Sequence, residues 1–380
     1  LQSAPFSGAT LGTLTLSGAG GYAGYLLDRI LELPAVCRVV AVAELKASNE
    51  PRVAECRRRG IAVYASHRDL LENLSPRQCD AIVIPTGIDT HFHYARMAME
   101  AGFDVICDKP VADTLEAARS IADAAQRTGR RIAITHTYTG YPLVKQARDL
   151  VAGAGAVRRV MVKYTQDWLS RASDLEGNKQ AAWRVDPKRS GEGGATGDIG
   201  THAFNLVEFI TGQRVERLCA DLGSLPGRAL DDDASVLLRL EGGAKGMLAC
   251  SQVCVGDAND LAISVYCDEL GLHWRQEEPN SLRVGRRDRP DEIWHAGSNR
   301  AYLAPDIRAI QRTPGGHPEG YLEAFANSYH AFGQEVLTGK RAEGAPGYAT
   351  LDDAITAMKF IRAAKKSSDA GAAWIDLDTL

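Results

Sequence analysis

The chain has 380 residues, 45% hydrophobic and 24% charged, with a formal net charge of −4 and a pI of about 6.2. That length allows two domains, each with its own core. The charge gives no footprint for nucleic acid or an anionic membrane surface, and no apolar run approaches the ~20 residues of a membrane helix.

In chain order, residues 11–17 read as a first strand and 22–33 as a helix, with Pro34 past its end. A strand starting by about residue 11 leaves no room for a secretory signal, so a cytoplasmic protein is expected. Residues 39–43 form a second strand, and 51–59 a helix that Gly60 stops. Further strands are read at 61–64, 81–84, 103–107 and 131–135. Helices over 90–101, closed by Gly102, and from Asp113 to Thr128, closed by Gly129, connect the last three. Asp113-Thr114-Leu115-Glu116 has the spacing of a capping box. Strands alternating with helices argue a parallel, doubly wound Rossmann-type sheet, α/β in class.

The texture changes after a boundary near residues 135–141. A helix over 142–152 leads to strand-like runs at 159–166, 217–222, 234–240, 246–253 and 261–266, without regular crossover helices. An open, mostly antiparallel sheet in a second α/β domain is expected, with helices near 199–211, 319–337 and 351–366 and a long loop over 277–313. The expected domains are 1–137 and 138–380, with the last helix packing back on the first domain. Apolar alternation at 234–240 and 246–253 leaves Met247 and Ala249 on an outer face that a second copy would cover, so a homodimer or homotetramer is expected.

Eight cysteines include no Cys-x-x-Cys pair. Cys37, Cys79, Cys107 and Cys219 lie in apolar runs and read as buried free thiols. Cys250 and Cys254 suit neither a disulfide nor a metal. His91 and His93 point to different helix faces, so no metal site is expected there. Asp231-Asp232-Asp233 reads as a solvated turn, and Trp168, Trp183 and Trp274 as core or sugar-stacking surface.

The chemistry-bearing residues fall at strand ends. Gly18, Gly20 and Ala23 fit Gly-x-Gly-x-x-Ala between the first strand and its helix, so Gly18, Gly20, Gly21 and Tyr22 are read as a pyrophosphate cradle. Glu44 ends the second strand and suits the adenine-ribose hydroxyls, favouring NAD, while Lys46 keeps NADP as the alternative. Thr86, Gly87 and His91, and Asp108-Lys109-Pro110, follow later strands on the ligand-binding edge of such a sheet. Asp198 and His202, four apart after Gly193, Gly194 and Gly197, share a helix face. A carboxylate beside an imidazole orients it as a base for an alcohol proton.

With these residues in place, the chain resembles the Gfo/Idh/MocA family of oxidoreductases from Leu11 to about Lys366. Asp108-Lys109-Pro110 corresponds to the family's Glu-Lys-Pro, and Asp198-x-x-x-His202 follows the glycine pair. Trp183-Arg184 and the stretch from Thr86 to His91 fit as well. Departures are Asp108 for Glu, Gly87 for Pro and Ala23 for the third Gly. The resemblance implies an N-terminal Rossmann domain, a C-terminal domain whose open sheet often mediates oligomers, and sugar or cyclitol substrates. It implies Lys109, Asp198 and His202 as the catalytic set. Tyr138 and Trp168 are expected beside the substrate, and Trp183 and Arg184 beside the cofactor. Either Lys109 or His202 serves as formal base. Two rival functions remain: a glycoside-cleaving enzyme that uses NAD transiently with the same residues, and a non-catalytic nucleotide-binding regulator, against which the intact Lys109, Asp198 and His202 count.

Overall fold

The structure is a computed structural model that describes residues 9–13, 37–44, 50–171, 186–340 and 347–380. The glycine loop with its following helix, Lys46 and the Trp183-Arg184 pair lie outside the described residues. The chain divides into two units, Leu1–His136 with Phe325–Ile355 and Thr137–Ala324 with Thr356–Leu380.

In the first unit the described strands form one parallel sheet in the order β3-β2-β1-β4-β5-β6. They are β1 Ala9–Thr13, β2 Cys37–Ala43, β3 Ala62–Tyr64, β4 Ala81–Ile84, β5 Asp104–Cys107 and β6 Ile132–Ile134. This is the doubly wound order of dinucleotide-binding folds. Every residue of β4 and β5 is buried, the signature of parallel strands covered on both faces. The helix Leu115–Thr128 buries Leu115, Ala118, Ile121 and Ala124, a stripe of period three to four, and ends on Gly129 in the left-handed region. Its N-cap is Thr114, whose hydroxyl accepts from Ala117 N at 3.2 Å. The cap therefore falls one residue later than Asp113, where the expected box places it, and Ala117 at the third helical position leaves no reciprocal side chain. A helix at His67–Asn73, capped by Ser66, was not expected.

Phe325–Ile355 groups with this first unit, not with the second domain as expected. Hydrogen bonding gives the reason. Ile134 N donates to Ala349 O at 2.9 Å, which extends the sheet past β6. Phe332 packs edge-on against Tyr348, and Glu335 pairs with Arg131.

The second unit holds a sheet whose described strands run β14-β13-β12-β11-β7-β10-β9-β8-β15. These are β7 Val157–Thr165, β8 Val215–Gly223, β9 Asp233–Leu240, β10 Lys245–Ser251, β11 Asp260–Cys267, β12 Leu270–Arg275, β13 Ser281–Arg286, β14 Glu292–His295 and β15 Ile375–Asp376. The β7–β10 pair is parallel and the others are antiparallel. Strand β9 alternates strictly, burying Ala234, Val236, Leu238 and Leu240. The helix Thr201–Thr211 covers that inner face, packing on β7, β10 and β11. The stretch 277–313 is not one loop. It contains β13, β14 and the short helix Pro305–Ala309, with Pro279 and Pro290 in the turns on either side of β13. Trp274 on β12 is core.

Among the described residues, no helix is long and apolar enough to cross a membrane. None of the eight cysteines is in a disulfide; Cys37, Cys79 and Cys107 are buried, whereas Cys219 is half-exposed, its thiol turned to Ala372 O at 3.0 Å.

Candidate functional site

In the first unit the C-terminal ends of β2, β4, β5 and β6 bring the expected residues to one edge. Glu44 follows β2, half-buried, its N–H bonded to Tyr64 O at 3.1 Å across to β3. Gly87 caps the helix Ile88–Glu100, and a side chain there would meet the Asp89 carboxylate at 2.6 Å. Thr90 donates to Thr86 Oγ1 or Gly87 O, each at 2.7 Å, so the turn is closed by hydroxyls. His91 is buried. One ring nitrogen lies 2.8 Å from Pro110 O and the other 3.1 Å from Thr86 O. It thus ties the loop after β4 to the loop after β5 and acts on the edge from beneath. His93, two residues on, is exposed.

Asp108 and Lys109 follow β5 directly, with a cis Lys109–Pro110 peptide. The Asp108 carboxylate accepts from Lys109 N at 2.9 Å and from the hydroxyl of Thr135, the residue after β6. Those bonds turn Asp108 inward and fix the backbone that carries Lys109. His136 follows and is buried; burial foremost, with the Lys109 charge adding and Asp353 opposing, lowers its pKa to about 3. This donor set fits a dinucleotide. A carboxylate stands beyond β2 for ribose hydroxyls, hydroxyls and a helix N-terminus beyond β4, and an ammonium beyond β5.

The second unit builds its chemistry on a helix start. Gly193-Gly194 leads into a π-helical turn, Thr196–Gly200, which continues as the α-helix Thr201–Thr211. Asp198 lies on the first and His202 on the second. The turn is pinned by Asp231. Its carboxylate accepts from Gly194 N (2.8 Å), Thr196 N (2.7 Å) and Thr196 Oγ1 (3.0 Å), and its carbonyl accepts from Ala195 N (2.7 Å). The Asp231-Asp232-Asp233 run is therefore no solvated turn. Asp231 and Asp232 are buried, Asp232 bonding Arg228 and Leu225 N, and only Asp233 is exposed.

Around His202 the structure places a wall of amides and hydroxyls that sequence reasoning missed. The His202 ring lies edge-to-face with Tyr138 at 4.8 Å, and Tyr164 is 6.3 Å away. The two tyrosine hydroxyls are 2.5 Å apart, and Tyr164 donates to Asn259 Oδ1 at 2.8 Å. Gln166 Nε2 donates to the same Asn259 oxygen at 2.7 Å, while Gln166 Oε1 accepts from Trp168 Nε1 at 2.9 Å. Gln252 Nε2 donates to Asp198 Oδ2 at 2.9 Å and reaches Gln166 Oε1 at 3.4 Å. Burial raises the pKa of both tyrosines, so they stay neutral hydrogen-bonding groups.

Register explains the grouping. Thr165, Ser251 and Asp260 are paired across β7, β10 and β11, so Gln166, Gln252 and Asn259 emerge at one edge. Amides at the ends of three adjacent strands were the available signal, visible only once the register is known. Of the expected substrate residues, Tyr138 and Trp168 both join this network. No group of three His, Cys, Asp or Glu side chains suited to a metal occurs among the described residues.

The Gfo/Idh/MocA oxidoreductase family with its NAD-binding Rossmann fold matches residues 15–136, and the Gfo/Idh/MocA C-terminal domain matches residues 144–273. This chain belongs to that family. An oxidoreductase from Sinorhizobium meliloti is 35% identical, with 97% of this chain and 99% of that one covered and a TM-score of 0.82. An inositol dehydrogenase homolog from Azotobacter vinelandii, solved with NADH and myo-inositol, is 27% identical over 97% of each chain, with a TM-score of 0.83. Levoglucosan dehydrogenase from Pseudarthrobacter phenanthrenivorans is 24% identical, with 88% of this chain and 90% of that protein covered. The chain is thus an NAD-dependent oxidoreductase with a Rossmann domain and a C-terminal α/β domain.

Proposed function

We propose that this enzyme oxidises a secondary hydroxyl of a sugar, glycoside or cyclitol, with Lys109, Asp198 and His202 as its catalytic residues. The observation that carries the reading is the wall of Tyr164, Gln166 and Asn259 beside Asp198 and His202, which offers amide and hydroxyl groups to a polyhydroxylated substrate. The relatives solved with myo-inositol or named for levoglucosan support the same substrate class.

The imidazole of His202 accepts the hydroxyl proton, and the Asp198 carboxylate favours the imidazolium that results. The ammonium of Lys109 stabilises negative charge developing on the oxygen. NAD, when bound, supplies the acceptor for the carbon-bound hydrogen, which leaves as hydride. Glu44, Thr86, Gly87 and the glycine loop would hold it, with Asp108 and His91 fixing the loops around them. Glu44 favours NAD over NADP, because a carboxylate repels a 2′-phosphate. The working state is a homodimer or homotetramer.

The test is NADH formation, followed by absorbance, over a panel that includes myo-inositol, levoglucosan and simple glycosides. Sustained NADH with one of them is expected. Glycoside cleavage without net NADH would instead favour transient oxidation. Lys109→Ala and His202→Ala should each lower kcat by ~10²–10⁴-fold while NAD affinity is kept. Unchanged turnover in either variant removes that residue from the mechanism.

A further inference from the structure

We infer that Gln252 is a positioning residue for Asp198, and that Trp168, through Gln166, sets the direction in which Gln252 works. The inference rests on the assignment of Asp198 above and names residues that the assignment does not contain.

Gln252 is 1% exposed. Its backbone is fixed on both sides: its N–H donates to Asp232 O at 2.8 Å, and its carbonyl accepts from Leu169 N at 3.0 Å. A side chain anchored in this way has few conformations left. Its amide nitrogen faces two acceptors, Asp198 Oδ2 at 2.9 Å and Gln166 Oε1 at 3.4 Å.

An amide can present either end, so something must choose. The indole N–H of Trp168 can only donate. It meets Gln166 at 2.9 Å, and therefore requires the Gln166 oxygen at that end. The Gln166 nitrogen is then directed to Asn259 Oδ1, an oxygen that also accepts from Tyr164. With Gln166 Oε1 facing Gln252, the donor end of Gln252 is favoured toward Gln166 and toward Asp198. A donor is what an ionised carboxylate needs, since that form only accepts. The chain of amides converts one indole into a fixed orientation at Asp198, with a donor facing its carboxylate. Of the groups that act on this carboxylate, Tyr138 and Tyr164 are held neutral by burial, and His202 lies one helical turn on.

The experiment uses the full chain, NAD, and levoglucosan and myo-inositol as substrates. Gln252→Leu keeps the bulk and removes the donor; it should lower kcat on the order of 10- to 100-fold with NAD affinity unchanged. In the Asp198→Ala background the same change should cost nothing further, because a residue that acts only through Asp198 is silent without it. Gln252→Glu, similar in volume, should retain turnover at acid pH, where a protonated carboxyl still donates. It should lose turnover as pH rises and two carboxylates face each other. This variant carries the test if Gln252→Leu does not fold. Crystal structures give a readout that needs no substrate: in Gln252→Leu the Asp198 carboxylate should move while the helix Thr201–Thr211 stays in place.

Losses that multiply in the double variant, an unshifted pH profile in Gln252→Glu, or an unmoved Asp198 in Gln252→Leu each overturn the positioning role and leave Asp198 as a catalytic residue. Wild-type turnover in Asp198→Ala alone overturns the catalytic assignment itself, and the positioning role with it.

Discussion

Two side chains at the sheet edge make predictions of their own. His136 is buried beside the Lys109 charge, and its pKa falls to about 3 against an ordinary value near 6.5. The folded protein therefore holds it neutral, while the unfolded chain protonates it below pH ~6.5. Between these values the unfolded state binds the extra proton, so stability falls as pH drops through the window, by up to ~1.4 kcal/mol per pH unit. Denaturant titrations of wild type and His136→Asn between pH 7 and 4 should show a shallower acid loss in the variant; parallel curves would refute the buried neutral imidazole. Glu44 gives a second prediction. Glu44→Ser should narrow the preference for NAD over NADP, and a wild type that favours NADP tenfold, a difference of ~1.4 kcal/mol, would remove Glu44 from that role. At this scale the sequence was legible where a residue sits at a strand end, as Glu44, Thr86 and Lys109 do. It was not legible for Gln166, Gln252 and Asn259, because nothing in an amide's local sequence reports which strand ends lie side by side.

At the scale of elements, the start of the helix bearing Asp198 and His202 shows what the glycines are for. A Cβ at Gly194 would stand 2.1 Å from Asp231 O, a backbone atom that cannot retreat. At Gly197 it would meet only Ile361 Cδ1, at 3.9 Å. Gly197 therefore needs no close approach, whereas Gly200 does, against Cys250 Sγ at 3.0 Å. Gly194→Ala should therefore cost several kcal/mol or prevent folding, whereas Gly197→Ala should be near neutral in thermal denaturation. Asp231→Ala leaves two backbone N–H groups and a hydroxyl without their acceptor, so a loss of ~3 kcal/mol is expected. Equal effects of the two glycine variants would refute this account of the turn. Elements with strong periodicity and a clear start signal, such as Pro142–Ala152 with its proline in the first turn, were read to the residue. Strands β12 to β14 were missed because each is only four to six residues long and the turns between them, residues 276–280 and 287–291, are charged and carry Pro279 and Pro290, so that the stretch locally mimics a loop. Their strand character comes from successive pairing outward from β11, β12 on β11, β13 on β12 and β14 on β13.

For the whole molecule, the open sheet of the second unit leaves one face to explain. Leu237, Met247 and Met161 stand opposite one another on β9, β10 and β7, and are 45%, 37% and 36% exposed. A row of large apolar side chains across three strands exceeds the scattered exposure normal on a monomer's surface. It is the outer face that the alternation in residues 234–240 and 246–253 implied, and a second copy of the chain is the occupant proposed for it. Light scattering at micromolar concentration should then give the mass of a dimer or tetramer. Met247→Glu places a charge in the centre of the row. Because that side chain is already part-exposed in the single chain, the variant should keep its thermal midpoint at low concentration yet shift to a smaller species, and the wild type should lose its larger form on dilution. A wild type that scatters as a monomer at micromolar concentration, or a Met247→Glu variant of unchanged mass, would mean that this face is not where the copies meet.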